Sequence, residues 1–291
     1  MSRLAYDARV RLRRVAVLAP ILGALACASP RPPAAPERTL RLATWNVQNL
    51  FDEQVDGAPN ETVLSPGQVE AKLARLSGVL RALGADAVAL QEVENEAILV
   101  RLAAASGGGW GTCLVDGPDP RGIDVAALAR ARVERCVAHT EDGPLFSRPP
   151  LEVHASVGGR RLVLLVAHLV SKVDPASDGR RTEQARRLRT LADALVAREA
   201  GALVVIAGDL NDEAGSAPLA PLLADGAWVD VAAGAEPEVT WTYAFQGRHE
   251  RIDYLLVPRA ARARVVTAAA YGARGVRSAS DHRPLVVELA W

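Results

Sequence analysis

Apolar runs and amphipathic stretches alternate through most of the 291-residue chain. The strongest signal is Leu203-Val-Val-Ile-Ala-Gly-Asp-Leu-Asn211, an apolar run that stops at a carboxylate and an amide. Such a β-branched run bounded by Gly predicts a strand buried on both faces. In an extended chain Asp209 and Asn211, two apart, project to the same side, and Gly208 lets the backbone bend before them. Residues 39–46 alternate apolar and polar positions and predict an opening strand that ends in Asn46. Val69, Leu73, Leu76, Val79, Leu80 and Leu83 recur at threes and fours and predict a helix over 69–83, preceded by Ser65-Pro-Gly-Gln68 and closed by Gly84. A strand over 85–93, with acids at its end, and a helix over 96–105 follow. Closely spaced turns through 110–166 predict an antiparallel meander whose last run is 161–167. The line Ala185, Leu188, Leu191, Ala192 and Leu195 predicts a helix over 182–198, with its arginines on a solvated face. Short strands or turns are expected at 228–231 and 239–244, strands at 251–257, 265–270 and 285–289, and a turn at 280–284. There is no internal repeat.

The N-terminus has another character. Arg9, Arg11, Arg13 and Arg14 precede an apolar stretch, residues 15–26, which is shorter than the roughly 20 residues that span a bilayer. Small residues at 24 and 26 match an export cleavage pattern, and Cys27 resembles the lipidated cysteine of bacterial lipoproteins, although Ala24 stands where those carry Leu. The expectation is a signal peptide over 1–27, with a buried first helix as the alternative. Pro30, Pro32, Pro33 and Pro36 then make 28–38 a stiff tether, leaving one domain over 39–291. An exported protein follows: a periplasmic or outer-membrane lipoprotein anchored through Cys27, or a secreted one, and a monomer.

At 49% hydrophobic and 23% charged, the chain has the balance of an ordinary soluble domain with a large core. Without residues 1–26 it keeps 29 basic against 33 acidic residues, so it cannot grip long nucleic acid by charge alone. Two cysteines remain, Cys113 and Cys136. An exported chain can pair them; two separate core residues is the other reading.

The polar residues at predicted strand ends are Asn46, Glu92, His168, Asp209, Asn211, Asp253, Asp281 and His282. Their segments Thr44-Trp-Asn46, Gln91-Glu-Val93, His168-Leu-Val-Ser-Lys172, Gly208-Asp-Leu-Asn211, Arg251-Ile-Asp-Tyr254 and Ser280-Asp-His282 resemble, in this order, the signature of the endonuclease/exonuclease/phosphatase superfamily. The resemblance runs over residues 39–291. It implies a four-layer α/β sandwich, with two mixed β-sheets face to face and helices outside. It also implies a metal-dependent phosphoesterase. Glu92 is then the principal ligand of Mg2+ or Mn2+, with Asn46 and Asp281 nearby, because hard oxygen donors suit these ions. Asp209 orients or deprotonates the attacking water, Asn211 binds a phosphate oxygen and His168 donates to the phosphate. His282 is the second histidine, its ring fixed and kept protonated by Asp253. Arg121-Gly-Ile-Asp124 resembles a segment of bacterial members and would bring Arg121 or Asp124 to the site, a salt-bridged turn being the alternative. Lys172 is a candidate phosphate contact or a plain surface lysine. His139, His154 and His249 match no motif and are taken as structural.

The leading expectation is a phosphodiesterase with a nuclease-like substrate, DNA or RNA. A monoester dianion asks for additional basic residues, and the chain has only two lysines, Lys72 and Lys172, though Arg121, Arg148, Arg180 and Arg181 are candidates to gather near the cleft. The competing readings are a lipid or inositol-phosphate hydrolase and an inactive binding lipoprotein of the same fold.

Overall fold

In the computed structural model, residues 39–245 and 247–291 are described; the expected signal peptide, Cys27 and the Pro-rich tether lie outside them. The alternation at the start of the chain becomes β1 (Thr39–Leu50), four residues longer than its pattern predicts. It runs parallel to β2 (Ala87–Val93). Next come β3 (Gly111–Leu114), β4 (Asp124–Ala129), β5 (Val133–Ala138), β6 (Leu151–Val157), β7 (Arg160–His168) and β8 (Leu203–Asp209). The strands β9 (Trp228–Asp230), β10 (Tyr243–Phe245), β11 (Arg248–Glu250), β12 (Asp253–Pro258), β13 (Val265–Ala270) and β14 (Leu285–Ala290) complete the set. One six-stranded sheet has the order β13-β14-β1-β2-β4-β3 and the other β5-β6-β7-β8-β12-β9, while β10 and β11 pair as a separate hairpin. Each large sheet is mixed: β1 and β2 are parallel in the first, β7 and β8 in the second, and their other pairs are antiparallel.

Three cores follow from these faces. Leu42, Ala89, Val166, Val205, Leu255 and Val287 belong to the cluster between the sheets. The outer face of the first sheet packs Trp45, Val88 and Leu90 against α1 (Pro66–Leu83) and α2 (Glu96–Ala105). The outer face of the second packs Val204 and Ile206 against α3 (Asp178–Arg198). That is the expected four-layer sandwich. The apolar line of α3 is fully committed, since Ala185, Leu188, Leu191, Ala192 and Leu195 are all buried. A buried Leu contributes about 1.5–3 kcal/mol, so this line alone anchors the helix. One arginine of α3 departs from the solvated face: Arg181 is buried and donates to Asp212 (2.8 Å). Gly84, left-handed at φ 58, ends α1, and Ser65 N–H donates to Gln68 Oε1 (2.9 Å) at its start.

The expected meander divides between the sheets. β3 and β4 pair in the first, whereas β5, β6 and β7 form an antiparallel run in the second. Turn spacing marks where strands end but not which sheet the next one joins; β4 is buried throughout and β5 is half exposed, a difference set by position in the sandwich. The crossing brings Cys113 of β3 and Cys136 of β5 together as a disulfide, Cα–Cα 5.7 Å, tying one sheet to the other. The region expected as strand or turn at 239–244 is a helical turn, Pro237–Thr240, followed by β10. No described helix is long and apolar enough to cross a membrane.

Candidate active site

The two parallel pairs end side by side. Asn46 of β1 stands opposite Gln91 of β2, and His168 of β7 opposite Asp209 of β8. Asp253 lies across from Asp209 on β12, and the turn before β14 supplies Asp281 and His282. These ends line a cavity of about 500 Å3 that holds Asn46, Glu92, His168, Asp209, Asn211, Asp281 and His282. Asp253 is fully buried behind His282. All eight sequence-predicted residues therefore converge.

The backbone is bent to make this happen. Among the described residues, the non-glycine positions with positive φ are Gln48 (56°), Asn49 (54°), Glu92 (65°) and Asn211 (54°), all on the strand ends around the cavity. Such conformations cost of order 1–3 kcal/mol each and persist where surrounding contacts hold them. Asn211 consequently does not continue an extended strand beside Asp209, as its spacing predicts; its N–H turns back and donates to Asp209 Oδ1 (2.9 Å). Its amide Nδ2 donates to Leu169 O (2.9 Å) and has a second N–H left for a ligand. Gly208 matters for space rather than bending, because a Cβ there would lie 1.9 Å from Ala167 O of the adjoining strand.

Asp209 is the hub. Its Oδ2 accepts from Asn46 Nδ2 (3.1 Å), with His168 Nε2 at 3.6 Å and His282 Nε2 at 3.8 Å. Burial, then the Asp253 charge, push its carboxyl above the usual range, against the pull of His282 and the hydrogen bonds. His282 Nδ1 lies 2.8 Å from Asp253 Oδ2. Burial alone would lower this imidazole, but the Asp253 charge and hydrogen bond outweigh it and raise its pKa to about 10. His168 goes the other way: burial, with the charges of Arg148, His282 and Arg121, holds it well below its ordinary value, and its Nδ1 is buried without a partner. The site thus pairs a cationic histidine with a neutral one. Ser280 Oγ donates to Asn46 O (2.7 Å) and Trp45 Nε1 to His282 O (3.0 Å), which locks the His282 turn onto β1.

The other side of the cavity offers oxygen. Glu92 accepts from Asn49 N–H (2.9 Å) and Asn46 Nδ2 (3.2 Å). Asp281, its pKa raised by burial and by the Glu92 charge, faces the same space. Asn46 Oδ1 accepts from Gln48 N–H (2.9 Å) and retains a second lone pair. Two carboxylates and an amide oxygen, without sulfur, fit a hard divalent cation such as Mg2+ or Mn2+. Lys72, lowered to about 8 by burial and by Arg75, is the neighbouring cation felt by both acids, and its Nζ is committed to Ala279 O (2.7 Å). Asp209, Asp253 and His282 also have ligand atoms within 4.8 Å of one another, but there the histidine is bound to an acid.

The peripheral candidates separate. Arg121 lines the cavity, its backbone N–H donating to Asp119 Oδ1 (3.0 Å), so it is both a site residue and part of a salt-bridged turn. Asp124 does not reach this cavity and lines an adjoining cleft. Lys172 lines the cavity with its charge paired to Glu250 (2.9 Å). Arg148 also lines it, whereas Arg180 and Arg181 bind Leu145 O and Asp212 elsewhere. His139 and His154 flank the buried Glu152, and His249 stacks on Trp241. Tyr243 and Phe245 belong to none of the six segments, yet both line the cavity, Tyr243 packing on His282 with ring centroids 4.7 Å apart. The period-two spacing of Trp241, Tyr243 and Phe245 is the signal that could have shown them.

The sequence pattern of the Endonuclease/Exonuclease/phosphatase family matches residues 43–282. Among solved structures, TDP2 from Caenorhabditis elegans superimposes with TM-score 0.62 at 19% identity, over 87% of this chain and 75% of that one. D. rerio TDP2 complexed with single strand DNA product gives TM-score 0.63 at 21% identity, over 87% and 99%. The mannosyl-6-phosphatase Bt3783 of Bacteroides thetaiotaomicron gives 0.60 at 15%, over 87% and 100%. At these identities the likeness is one of fold. No curated protein sequence matches the chain significantly. The family pattern spans the strands that build the cavity, from β1 to the His282 turn, and the chain belongs to the endonuclease/exonuclease/phosphatase family.

Proposed function

We propose that the protein hydrolyses phosphodiesters with the help of Mg2+ or Mn2+. The observation that carries this reading is the meeting, in one cavity, of an oxygen-donor set (Asn46, Glu92, Asp281) and a proton-handling set (His168, Asp209, Asn211, His282). When bound, a divalent ion lowers the pKa of water and offsets charge on a phosphoryl group. Glu92, Asp281 and Asn46 are the residues to hold it. Asp209, buried and fixed by hydrogen bonds from Asn46 Nδ2 and the Asn211 N–H, orients the attacking water and takes its proton. Asn211 directs its free amide N–H at a phosphoryl oxygen, and cationic His282, held by Asp253, stabilises the charge that grows in the transition state. His168, neutral, donates a hydrogen bond without adding charge.

The charge around the cavity favours a diester. Lys172 is paired with Glu250, and Arg121 and Arg148 share Asp119 at 3.8 and 3.7 Å, so much of their charge is answered within the protein. A diester brings one charge to the reacting phosphorus and needs less. A fold neighbour solved with a single-stranded DNA product supports a nucleic-acid diester, DNA or RNA, and Tyr243 and Phe245 offer ring faces beside the reacting group. Arg148 favours the second reading, a phosphomonoesterase acting on sugar or inositol phosphates, because it adds a buried cation to the cavity. The deciding comparison is kcat/KM for a dinucleotide diester against an inositol phosphate under one metal and salt condition; a higher value for the monoester overturns the assignment, and activity that survives EDTA overturns the metal.

The reading extends to the cell envelope. A lipoprotein-type signal peptide reaches to Cys27, which carries lipid as the first residue of the mature chain, and the domain over 39–291 works as an exported monomer. Mass spectrometry of the mature N-terminus tests it, an intact Met1 or an unmodified Cys27 being the contrary result.

A further inference from the structure

The residue just past β2 is a second acid, Glu94, two residues beyond Glu92. On a regular strand the two would share a face, but the left-handed backbone at Glu92 and the register shift beside it send them into different clefts. Glu94 is 4% exposed. Its Oε2 accepts from Asp52 N–H (2.5 Å), and its Oε1 is buried with no hydrogen-bond partner among the described residues. Carboxylate oxygens of Glu94, Asp56 and Glu61 lie within 4.8 Å of one another. A separate observation comes from the facing wall. Asp124 opens β4 at 3% exposure; its Oδ2 accepts from Gly117 N–H (2.9 Å) and its Oδ1 is likewise buried and unpartnered. Glu94, Asp56 and Asp124 line one cleft of about 760 Å3, and no described Lys, Arg or His lines it. Two buried carboxylate oxygens without donors, one just past β2 and one at the start of β4, belong to residues that line this cleft, and a lone buried acceptor of this kind is costly.

We propose that Asp56, Glu61 and Glu94 form a second divalent-cation site, of the calcium class, separate from the reaction cavity. Three carboxylates supply only oxygen, as calcium prefers, and the cleft beside Asp56 and Glu94 leaves room for the waters that complete its coordination. Calcium also tolerates irregular geometry better than magnesium, which suits ligands on a loop and a strand end. Internal hydrogen bonds already hold the loop in place. Glu61 accepts from the backbone N–H groups of Asp56 and Gly57, and Asn95 Nδ2 donates to Asp56 Oδ2 (2.8 Å), so both acids are kept near Glu94. A cation there joins the 56–61 loop to the end of β2, one residue past the strand that bears Glu92.

The test titrates Ca2+ into the full chain, freed of metal with EDTA, by calorimetry and by thermal unfolding. A Glu92→Gln, Asp281→Asn background removes the acids of the reaction cavity. In it we expect one calcium still to bind, and at about a hundredfold excess over Kd to raise Tm by roughly 5 °C. Adding Asp56→Asn and Glu61→Gln keeps the hydrogen-bond acceptors and removes the charge; Asp56 is exposed and Glu61 half-buried, so the fold is kept. Calcium affinity should fall at least about tenfold and the Tm rise should vanish. Absence of calcium binding in the Glu92→Gln, Asp281→Asn protein, or unchanged binding after Asp56→Asn and Glu61→Gln, overturns the proposal.

Discussion

The two parallel strand pairs deliver their chemistry by opposite means. In the second sheet, Asp209 is the last residue of β8 and stands opposite His168 of β7 in an unbroken parallel register. In the first sheet the residue opposite Asn46 is Gln91, whose side chain bonds Thr44 (3.2 Å) inside the protein, and the acid that reaches the cavity is the next residue, Glu92, turned there by a left-handed backbone. One half thus obtains its acid from regular structure and the other from a bent strand. The regular half is the dry one: Asp209, Asp253, His168 and His282 are all at most 5% exposed, and the charge of His282 is answered by Asp253. The bent half presents Glu92 and Asp281, which carry like charge and face the same space. A proton-transfer centre gains from burial, which tunes its pKa values, whereas an ion-binding centre gains from concentrated and unanswered negative charge.

Removing one acid from each half probes this division most strongly. Glu92→Gln and Asp209→Asn should each lower kcat/KM by at least about 10²-fold with the fold intact. They should differ in metal response: Glu92→Gln raises the Mg2+ concentration for half-maximal activity, and Asp209→Asn leaves it near the wild-type value. Equal shifts in both variants would dissolve the distinction between the halves, and full activity in either would remove that residue from the mechanism.

Gly208→Ala acts on the regular half alone. The new Cβ would meet Ala167 O at 1.9 Å, a backbone atom that cannot step aside without parting β7 from β8. We expect a loss of about 3 kcal/mol, a Tm lower by roughly 6–12 °C, and lower activity through displacement of Asp209. A Tm within about 1 °C of wild type would mean that this pair is looser than its register implies.

The disulfide is where the halves are tied. Cys113→Ser with Cys136→Ser opens a link between residues 23 apart in sequence that joins β3 of one sheet to β5 of the other. A loss of about 2 kcal/mol is expected, the low end of the usual range because extensive packing between the sheets remains, with activity unchanged since neither cysteine lines the cavity. A fall in kcat/KM beyond about threefold would show that the relative placement of the sheets, and with it the contact of Asn46 with Asp209, depends on the bridge.

Much of the regular half is legible from the sequence, and less of the bent one. An apolar run ending in Gly-Asp-Leu-Asn places Asp209 at a buried strand end, because burial and alternation are what such patterns encode. The site residues themselves come from six short segments in order, each modest alone. The face taken by Glu94 is not legible: it depends on a single left-handed residue at Glu92, a conformation that no hydrophobic pattern announces. For the same reason the Asp209–Asn211 spacing predicts two parallel side chains and the chain makes a turn. Arg148 reaches the cavity from a segment between β5 and β6, and Asp124 reaches the neighbouring cleft from the segment that resembles a bacterial motif. Both placements are set by how distant loops lie over the strand ends, and composition carries little of that.

The mildest change is the most informative about the dry half. Asp253→Asn keeps the shape behind His282 and removes the charge that raises it. Burial is then less opposed, so His282 should lose its proton at lower pH than about 10. The same charge is among the causes that lift Asp209, so Asp209 should ionise at lower pH as well. With Asp209 required as carboxylate and His282 as cation, both limbs of the kcat/KM profile move to lower pH together. Near pH 9 the variant should fall about tenfold, roughly 1.4 kcal/mol, while near pH 6 it should come within about threefold of wild type. Stability follows the same charge with a definite sign. A histidine raised from 6.5 to about 10 on folding adds stability that is fully present below pH 6.5 and lost as pH rises through 10. The Tm gap between wild type and Asp253→Asn should therefore be widest below pH 6.5 and close above 10. A loss of activity equal at every pH, with a Tm gap that does not vary, would reduce Asp253 to a packing residue and leave the two halves of the site differing in shape alone.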